Sequence, residues 1–266
     1  MKRSICILAL ASLITATASA QDWAKERLEK SPRHLEFVKV KHGAREVNCF
    51  LAFPEVKGKA PVVVVIHEIF GLSDWVRGLA DQFAEAGYIA IAPDLLSGAA
   101  PGGGGTTELG SGDAVRKAIQ SLPPDQITAD LNAVAKHALS LPASNGKLAA
   151  AGFCWGGGQI FRFASNPDLK AGFAFYGSGP DTAEAAKPIV APVYGFYGEN
   201  DARINAGVPK TTEAMKEAGK TYEPVTYPGA GHGFMRAGEA PDANEANKAA
   251  REEAWKRLKE KMKALQ

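Results

Sequence analysis

Leu148-Ala149-Ala150-Ala151-Gly152-Phe153-Cys154-Trp155-Gly156-Gly157-Gly158 is the stretch from which the fold can be read. Leu148 to Phe153 is a short apolar run, as expected of a buried strand, and it leads without a break into Gly-x-Cys-x-Gly. Gly-x-nucleophile-x-Gly at a strand-to-helix junction is a nucleophile elbow. The nucleophile's backbone is strained at such a turn, and only glycines leave room for strand and helix to approach. The side chain is thereby raised at the carboxyl edge of the sheet. Here that side chain is the thiol of Cys154, and the next residue, Trp155, offers its backbone N–H to a developing oxyanion.

Such an elbow predicts an acid and then a histidine, each following a later strand. Val193 to Tyr197 reads as a strand and ends in Gly198-Glu199-Asn200-Asp201, which puts Asp201 in the loop just beyond it. Pro224 to Tyr227 reads as another and ends in Pro228-Gly229-Ala230-Gly231-His232-Gly233-Phe234. His232 then sits in a glycine-rich turn able to carry an imidazole over the sheet edge. A lone Gly-x-Cys-x-Gly is weak evidence. Three residues in the right order, each after a predicted strand, are strong evidence.

The rest of the chain agrees with this frame. Leu35 to His42 and Val47 to Phe53 alternate around Gly43 and predict a hairpin. Pro61 to His67 is a continuous β-branched run, as expected of a strand covered on both faces. Helical spacing follows over Asp74 to Ala86, with Gly87 as its stop, then a second buried strand over Tyr88 to Pro93. Ile127 to Leu139 predicts a helix, Ala171 to Tyr176 a strand, and Thr211–Ala218 and Asn244–Leu265 further helices. Alternating strands and helices predict an α/β fold with a mainly parallel central sheet and helices on both faces. Residues 22–34 read as a polar lead-in broken by Pro32, and Ser97 to Gly112, with Gly102 to Gly105 in a row, as a surface loop. No Gly-Lys-Ser/Thr follows those glycines, so they are not a phosphate cradle.

The chain has 266 residues, 45% hydrophobic and 23% charged, which predicts a globular core that stands without disulfide or metal staples. Met1-Lys2-Arg3, the apolar run Ile5 to Ile14 and Ala18-Ser19-Ala20 have the three-part layout of a secretory signal peptide over residues 1–20, cleaved before Gln21. The apolar run is well short of the roughly 20 residues that span a bilayer. Removing it takes Lys2 and Arg3 from 31 basic residues and leaves 29 against 29 acidic ones, so no basic face for nucleic acid is expected. The expectation is a single domain over residues 21–266, periplasmic or secreted, free of the membrane after cleavage, and monomeric. Cys49 and Cys154 are then the two remaining cysteines.

His34, His42 and His137 fall in lead-in, hairpin and helix positions and read as structural or surface residues. His67-Glu68-Ile69-Phe70-Gly71 is not a His-Glu-x-x-His zinc motif, because glycine holds the fifth position. No metal site and no cofactor is implied. Together, His67-Glu68-Ile69-Phe70-Gly71-Leu72, Ala92-Pro93-Asp94-Leu95, Gly152-Phe153-Cys154-Trp155-Gly156-Gly157, Gly198-Glu199-Asn200-Asp201 and Gly231-His232-Gly233-Phe234 make the chain resemble the dienelactone hydrolase family of α/β-hydrolases. The resemblance implies a Cys154, Asp201, His232 triad and an oxyanion hole from the backbone N–H groups of Ile69 and Trp155. It further implies that Glu68 contacts the nucleophile and helps form its thiolate when substrate binds, and that Arg236 grips a substrate carboxylate, a task a bidentate guanidinium suits. Dienelactone-cleaving members carry a second arginine after the strand matching 88–93; that segment is the glycine-rich stretch here, and Arg116 is a candidate for the place.

The expected activity is hydrolysis of small carboxylic esters or lactones through a thioester on Cys154. Three rivals are weighed against it. A papain-like protease would place its cysteine near the mature N-terminus, far from position 154. A general exported carboxylesterase without dienelactone activity keeps the same chemistry. A non-catalytic binding module stapled by a Cys49–Cys154 disulfide would need the hairpin and the central elbow to meet within a few Å, and leaves Asp201 and His232 unexplained.

Overall fold

The structure, a computed structural model, describes residues 22–266; the expected signal peptide over 1–20 and its cleavage before Gln21 lie outside the described residues. Eight strands form one sheet: β1 (Leu35–His42), β2 (Arg45–Ala52), β3 (Ala60–Ile66), β4 (Ile89–Pro93), β5 (Ser144–Phe153), β6 (Leu169–Phe175), β7 (Val193–Gly198) and β8 (Tyr222–Tyr227). Their order is β1-β2-β4-β3-β5-β6-β7-β8. From β4 to β8 every neighbouring pair is parallel, and the antiparallel β1–β2 hairpin caps one edge.

The β-branched run of β3 explains the layering. Val63 and Val65 point into one core with the helices Asp74–Glu85 and Glu245–Met262, while Val62, Val64 and Ile66 point into another with Pro124–Leu139 and Trp155–Phe163. Every residue of β3 is buried. At roughly 1.5–3 kcal/mol per fully buried aliphatic side chain, a two-faced strand strongly favours this central position. Helices therefore cover both faces, as the sequence predicts.

Two segments differ from the sequence reading. The lead-in contains a helix, Asp22–Glu29, held by burial of Ala24 against the helix Asp74–Glu85 and by a 2.9 Å Arg27–Glu85 ion pair. The glycine-rich segment contains the short helix Thr106–Leu109, and a second helix, Gly112–Gln120, starts at its end under a Ser111 cap. Asp94, just past β4, accepts from the Thr106 N–H at 2.8 Å and hydroxyl at 2.7 Å, tying the segment to the carboxyl end of the sheet.

Candidate active site

β3, β5, β6, β7 and β8 all end on the same edge of the sheet, so the residues that follow them converge there, as is usual for sites in open α/β sheets. β5 runs directly into Cys154, and the helix Trp155–Phe163 begins at the next residue. Cys154 has φ 54° and ψ −114°, a left-handed conformation that costs roughly 1–3 kcal/mol for a non-glycine residue. Its N–H donates to the Phe175 carbonyl at 3.0 Å, which helps hold the strained backbone in place. The flanking glycines are required by distance. A Cβ on Gly152 would lie 2.1 Å from the Gly156 oxygen, and one on Gly156 would lie 2.4 Å from the Ile66 oxygen.

The three separated residues meet. His232 Nε2 is 3.2 Å from Cys154 Sγ, and His232 Nδ1 is 2.5 Å from Asp201 Oδ2. Asp201 is buried, and its other oxygen accepts from the Ile204 N–H at 3.4 Å, fixing the carboxylate. The turn bearing His232 is secured by a 3.0 Å bond from the Gly231 N–H to Asn247 Oδ1. The imidazole packs edge-on against Tyr176, with centroids 5.1 Å apart.

The backbone N–H groups of Trp155 and Ile69 act on the Cys154 sulfur, and each favours its thiolate form. Two larger effects oppose them. Burial and the nearby Glu68 carboxylate push the thiol above its ordinary value, so the resting sulfur carries its proton. Glu68 is itself buried; burial pushes its carboxyl up, against the Arg236 guanidinium, whose Nε donates to it at 2.9 Å.

The cavity over Cys154 has a volume of about 550 Å³ and mostly apolar walls, including Ile69, Ile119, Trp155, Tyr176 and Ile204. Its arginines are Arg116 and Arg203. Arg236 instead pairs with Glu68, lies 5.2 Å over the Phe70 ring, and lines a neighbouring cavity with Arg77 and Thr106. Arg116 is paired with Asp113 on its own helix. Sequence reasoning singled out neither Tyr176 nor Arg203. Tyr176 follows the last residue of β6 with φ 39°, and Arg203 lies two residues beyond Asp201; position just past a strand end is the signal that marks both.

The Cys49–Cys154 disulfide of the binding-module reading is not formed. Both cysteines are free, and Cys49 is buried within β2, paired with Pro93 of β4, on the opposite side of β3 from the elbow.

Comparison with known proteins agrees with this fold. Residues 47–266 match the model of the dienelactone hydrolase family. A Synechocystis protein named "Putative carboxymethylenebutenolidase" is 34% identical over 223 residues, covering 79% of this chain and 89% of its own length. A crystal structure titled "Putative Dienelactone Hydrolase" from Klebsiella pneumoniae superposes with a TM-score of 0.73 at 30% identity, over 85% of this chain and 96% of that one. The dienelactone hydrolase of Anabaena variabilis shares the fold at 19% identity, with a TM-score of 0.63 over 84% of this chain and 96% of that one. This chain, an α/β-hydrolase by fold and a hydrolase by kinship, belongs to the dienelactone hydrolase family.

Proposed function

We propose that the protein hydrolyses small activated carboxylic esters and lactones with Cys154 as nucleophile, through a thioester. The observation that carries this reading is the unbroken line Asp201–His232–Cys154, whose sulfur end also meets two backbone N–H groups. His232 Nε2 takes the thiol proton while Asp201 orients the ring and stabilises the imidazolium. The thiolate adds to the carbonyl carbon, and the carbonyl oxygen, now an anion, is held by the Ile69 and Trp155 N–H groups. Each such donor is worth about 2.7–4 kcal/mol at the transition state. Collapse breaks the C–O bond, and the imidazolium returns its proton to the leaving oxygen. Water, deprotonated by His232, then cleaves the thioester and restores the thiol. An amine leaves far less readily than the thiolate from such an intermediate, so peptides are poor substrates.

Glu68 modulates the first step. Arg236 favours the charged form of the buried Glu68, and that charge favours the protonated thiol. A substrate anion that draws Arg236 away leaves Glu68 without its counter-charge and ready to accept the thiol proton, the role that family membership suggests. Arg203 and Arg116 at the mouth of the cavity favour substrates carrying a carboxylate. Engagement of Arg236 by Glu68 supports a second substrate range, simple esters without dienelactone turnover. The layout of residues 1–20 supports an exported protein that acts in the periplasm or outside the cell.

The test is hydrolysis of a small activated ester and of dienelactone by the protein and by Cys154→Ala. Loss of both activities in the variant is the expected result. Ester turnover without dienelactone turnover keeps the mechanism and selects the simpler substrate range; an active variant refutes the nucleophile.

A further inference from the structure

His67 takes no part in the chemistry above, yet it is wholly buried between the two donors of the oxyanion hole. It follows the last residue of β3, and its Nδ1 lies 2.8 Å from the backbone oxygen of Glu68. A carbonyl oxygen only accepts, so Nδ1 carries the hydrogen. Nε2 is then a bare lone pair, and it has no hydrogen-bond partner among the described residues. Burial holds the ring in this neutral form by pushing its pKa down, against the charge of Asp94.

The oxygen that His67 grips belongs to the Glu68–Ile69 peptide, whose N–H is the one that acts on the Cys154 sulfur. A peptide unit is planar and trans, so its C=O and N–H point in opposite directions and turn together. Fixing the Glu68 carbonyl therefore fixes the aim of the Ile69 N–H. The only other backbone donor on that oxygen among the described residues is the Gly71 N–H, at a longer 3.2 Å. The opposite side of the hole is braced by the same ring. His67 stacks on the Trp155 indole with centroids 5.4 Å apart and planes 15° apart, and Trp155 supplies the other N–H.

We propose that His67 is a positioning residue of the oxyanion hole, its Nδ1–H locking the Glu68–Ile69 peptide so that the Ile69 N–H faces the reacting carbonyl oxygen. The inference rests on the reading of Cys154 and its two N–H neighbours as the catalytic centre. A histidine that only fills space would tolerate any side chain of similar bulk; a positioning donor requires hydrogen at one particular atom.

Asn and Gln separate these cases. The Asn amide nitrogen stands the same number of bonds from Cβ as Nδ1, whereas the Gln nitrogen reaches further, toward the place of Nε2. His67→Gln is expected to lower kcat about 10- to 100-fold, less than the 10²–10³-fold cost of deleting an oxyanion donor, with KM little changed. His67→Asn should recover most of that loss. Iodoacetamide alkylation of Cys154 across pH gives a second readout. The thiol titration should move upward in the Gln variant, because a misaimed Ile69 N–H no longer favours the thiolate, and should stay in place in the Asn variant. Wild-type kcat in the Gln variant, or equal losses in both, would overturn the proposal. If the Gln variant does not fold, nitrogen chemical shifts of the imidazole in the unaltered protein decide: hydrogen on Nδ1 supports the lock, and hydrogen on Nε2 overturns it. An active Cys154→Ala enzyme would instead bring down the reading of the site, whereas an inactive one beside a fully active His67→Gln brings down only the role of His67.

Discussion

Gly156→Ala puts the geometry of the elbow under direct strain without touching a reacting group. The added Cβ would lie 2.4 Å from the Ile66 oxygen and 2.5 Å from the His67 oxygen, both backbone atoms at the end of a fully buried strand. Since real Cβ atoms essentially never approach closer than 3.0 Å, the start of the helix Trp155–Phe163 must retreat by about 0.6 Å. That retreat has two separable consequences. Overpacking of a rigid core costs about 1–3 kcal/mol. At roughly 2–4 °C per kcal/mol for a chain of this size, Tm should fall by about 2–12 °C. The displaced turn also carries Cys154 and the Trp155 N–H away from His232, and a misplacement approaching 1 Å costs about 10²-fold in rate. We expect kcat to fall about 10- to 100-fold. Gly158→Ala is the control. The nearest atom to its Cβ would be the Ser178 oxygen, at 3.3 Å, so a few tenths of an ångström suffice. There the helix-propensity gain of alanine, up to about 1 kcal/mol, should keep stability near that of the parent. Steady-state kinetics and thermal denaturation of both variants make the comparison. Full activity and an unchanged Tm in Gly156→Ala would refute the argument that the glycine is needed for close approach.

Other outcomes follow from the same geometry. Asp201→Asn keeps the side chain's shape and its acceptor for the Ile204 N–H, yet loses the charge behind His232; kcat should drop about 10⁴-fold, as in serine triads, with little change in Tm. Glu68→Gln removes a negative charge that raises the Cys154 thiol, so the pH midpoint of iodoacetamide alkylation should move down; an upward movement would show that Glu68 does not act on the sulfur through its charge. Cys49 is buried and its thiol is pushed far up, mainly by burial, so native protein should react at Cys154 and not at Cys49, and denatured protein at both of these, located by mass spectrometry.

What the sequence made legible was what depends on neighbours along the chain. The β3 run announces a strand covered on both faces because alternate valines enter different cores. The elbow, the acid and the histidine were legible because each lies at a fixed place relative to a strand end, and parallel strands bring those ends together. The helix Asp22–Glu29 was hidden because only Trp23, Ala24 and Leu28 are apolar and the core they pack against, with the ion pair to Glu85, lies far along the chain. The glycine-rich segment concealed its short helix because the carboxylate that organises it, Asp94, stands 12 residues from Thr106.

Arg236 shows where such reading ends. The family resemblance implies that it grips a substrate carboxylate, and the structure supplies a carboxylate from within the chain, Glu68, 168 residues away. Electrostatics explains the pairing. Glu68 is buried beside a half-buried thiol, and two ionised groups with so little water between them would repel strongly unless a cation stood near. Arg236 favours the ionised form of Glu68 against the effect of burial, and the charge of Glu68 favours the thiol form of Cys154. The arginine thus acts on the protonation of Cys154 through one intermediate side chain. Removing Arg236 would leave a carboxyl already pushed up by burial without its largest stabilising charge, and Glu68 would take up a proton at neutral pH more readily. Loss of that negative charge would in turn lower the thiol's pKa. Arg236→Met should therefore increase the alkylation rate of Cys154 near neutral pH, even as turnover of carboxylate-bearing substrates falls. An arginine confined to substrate binding would lower turnover and leave the alkylation rate unmoved.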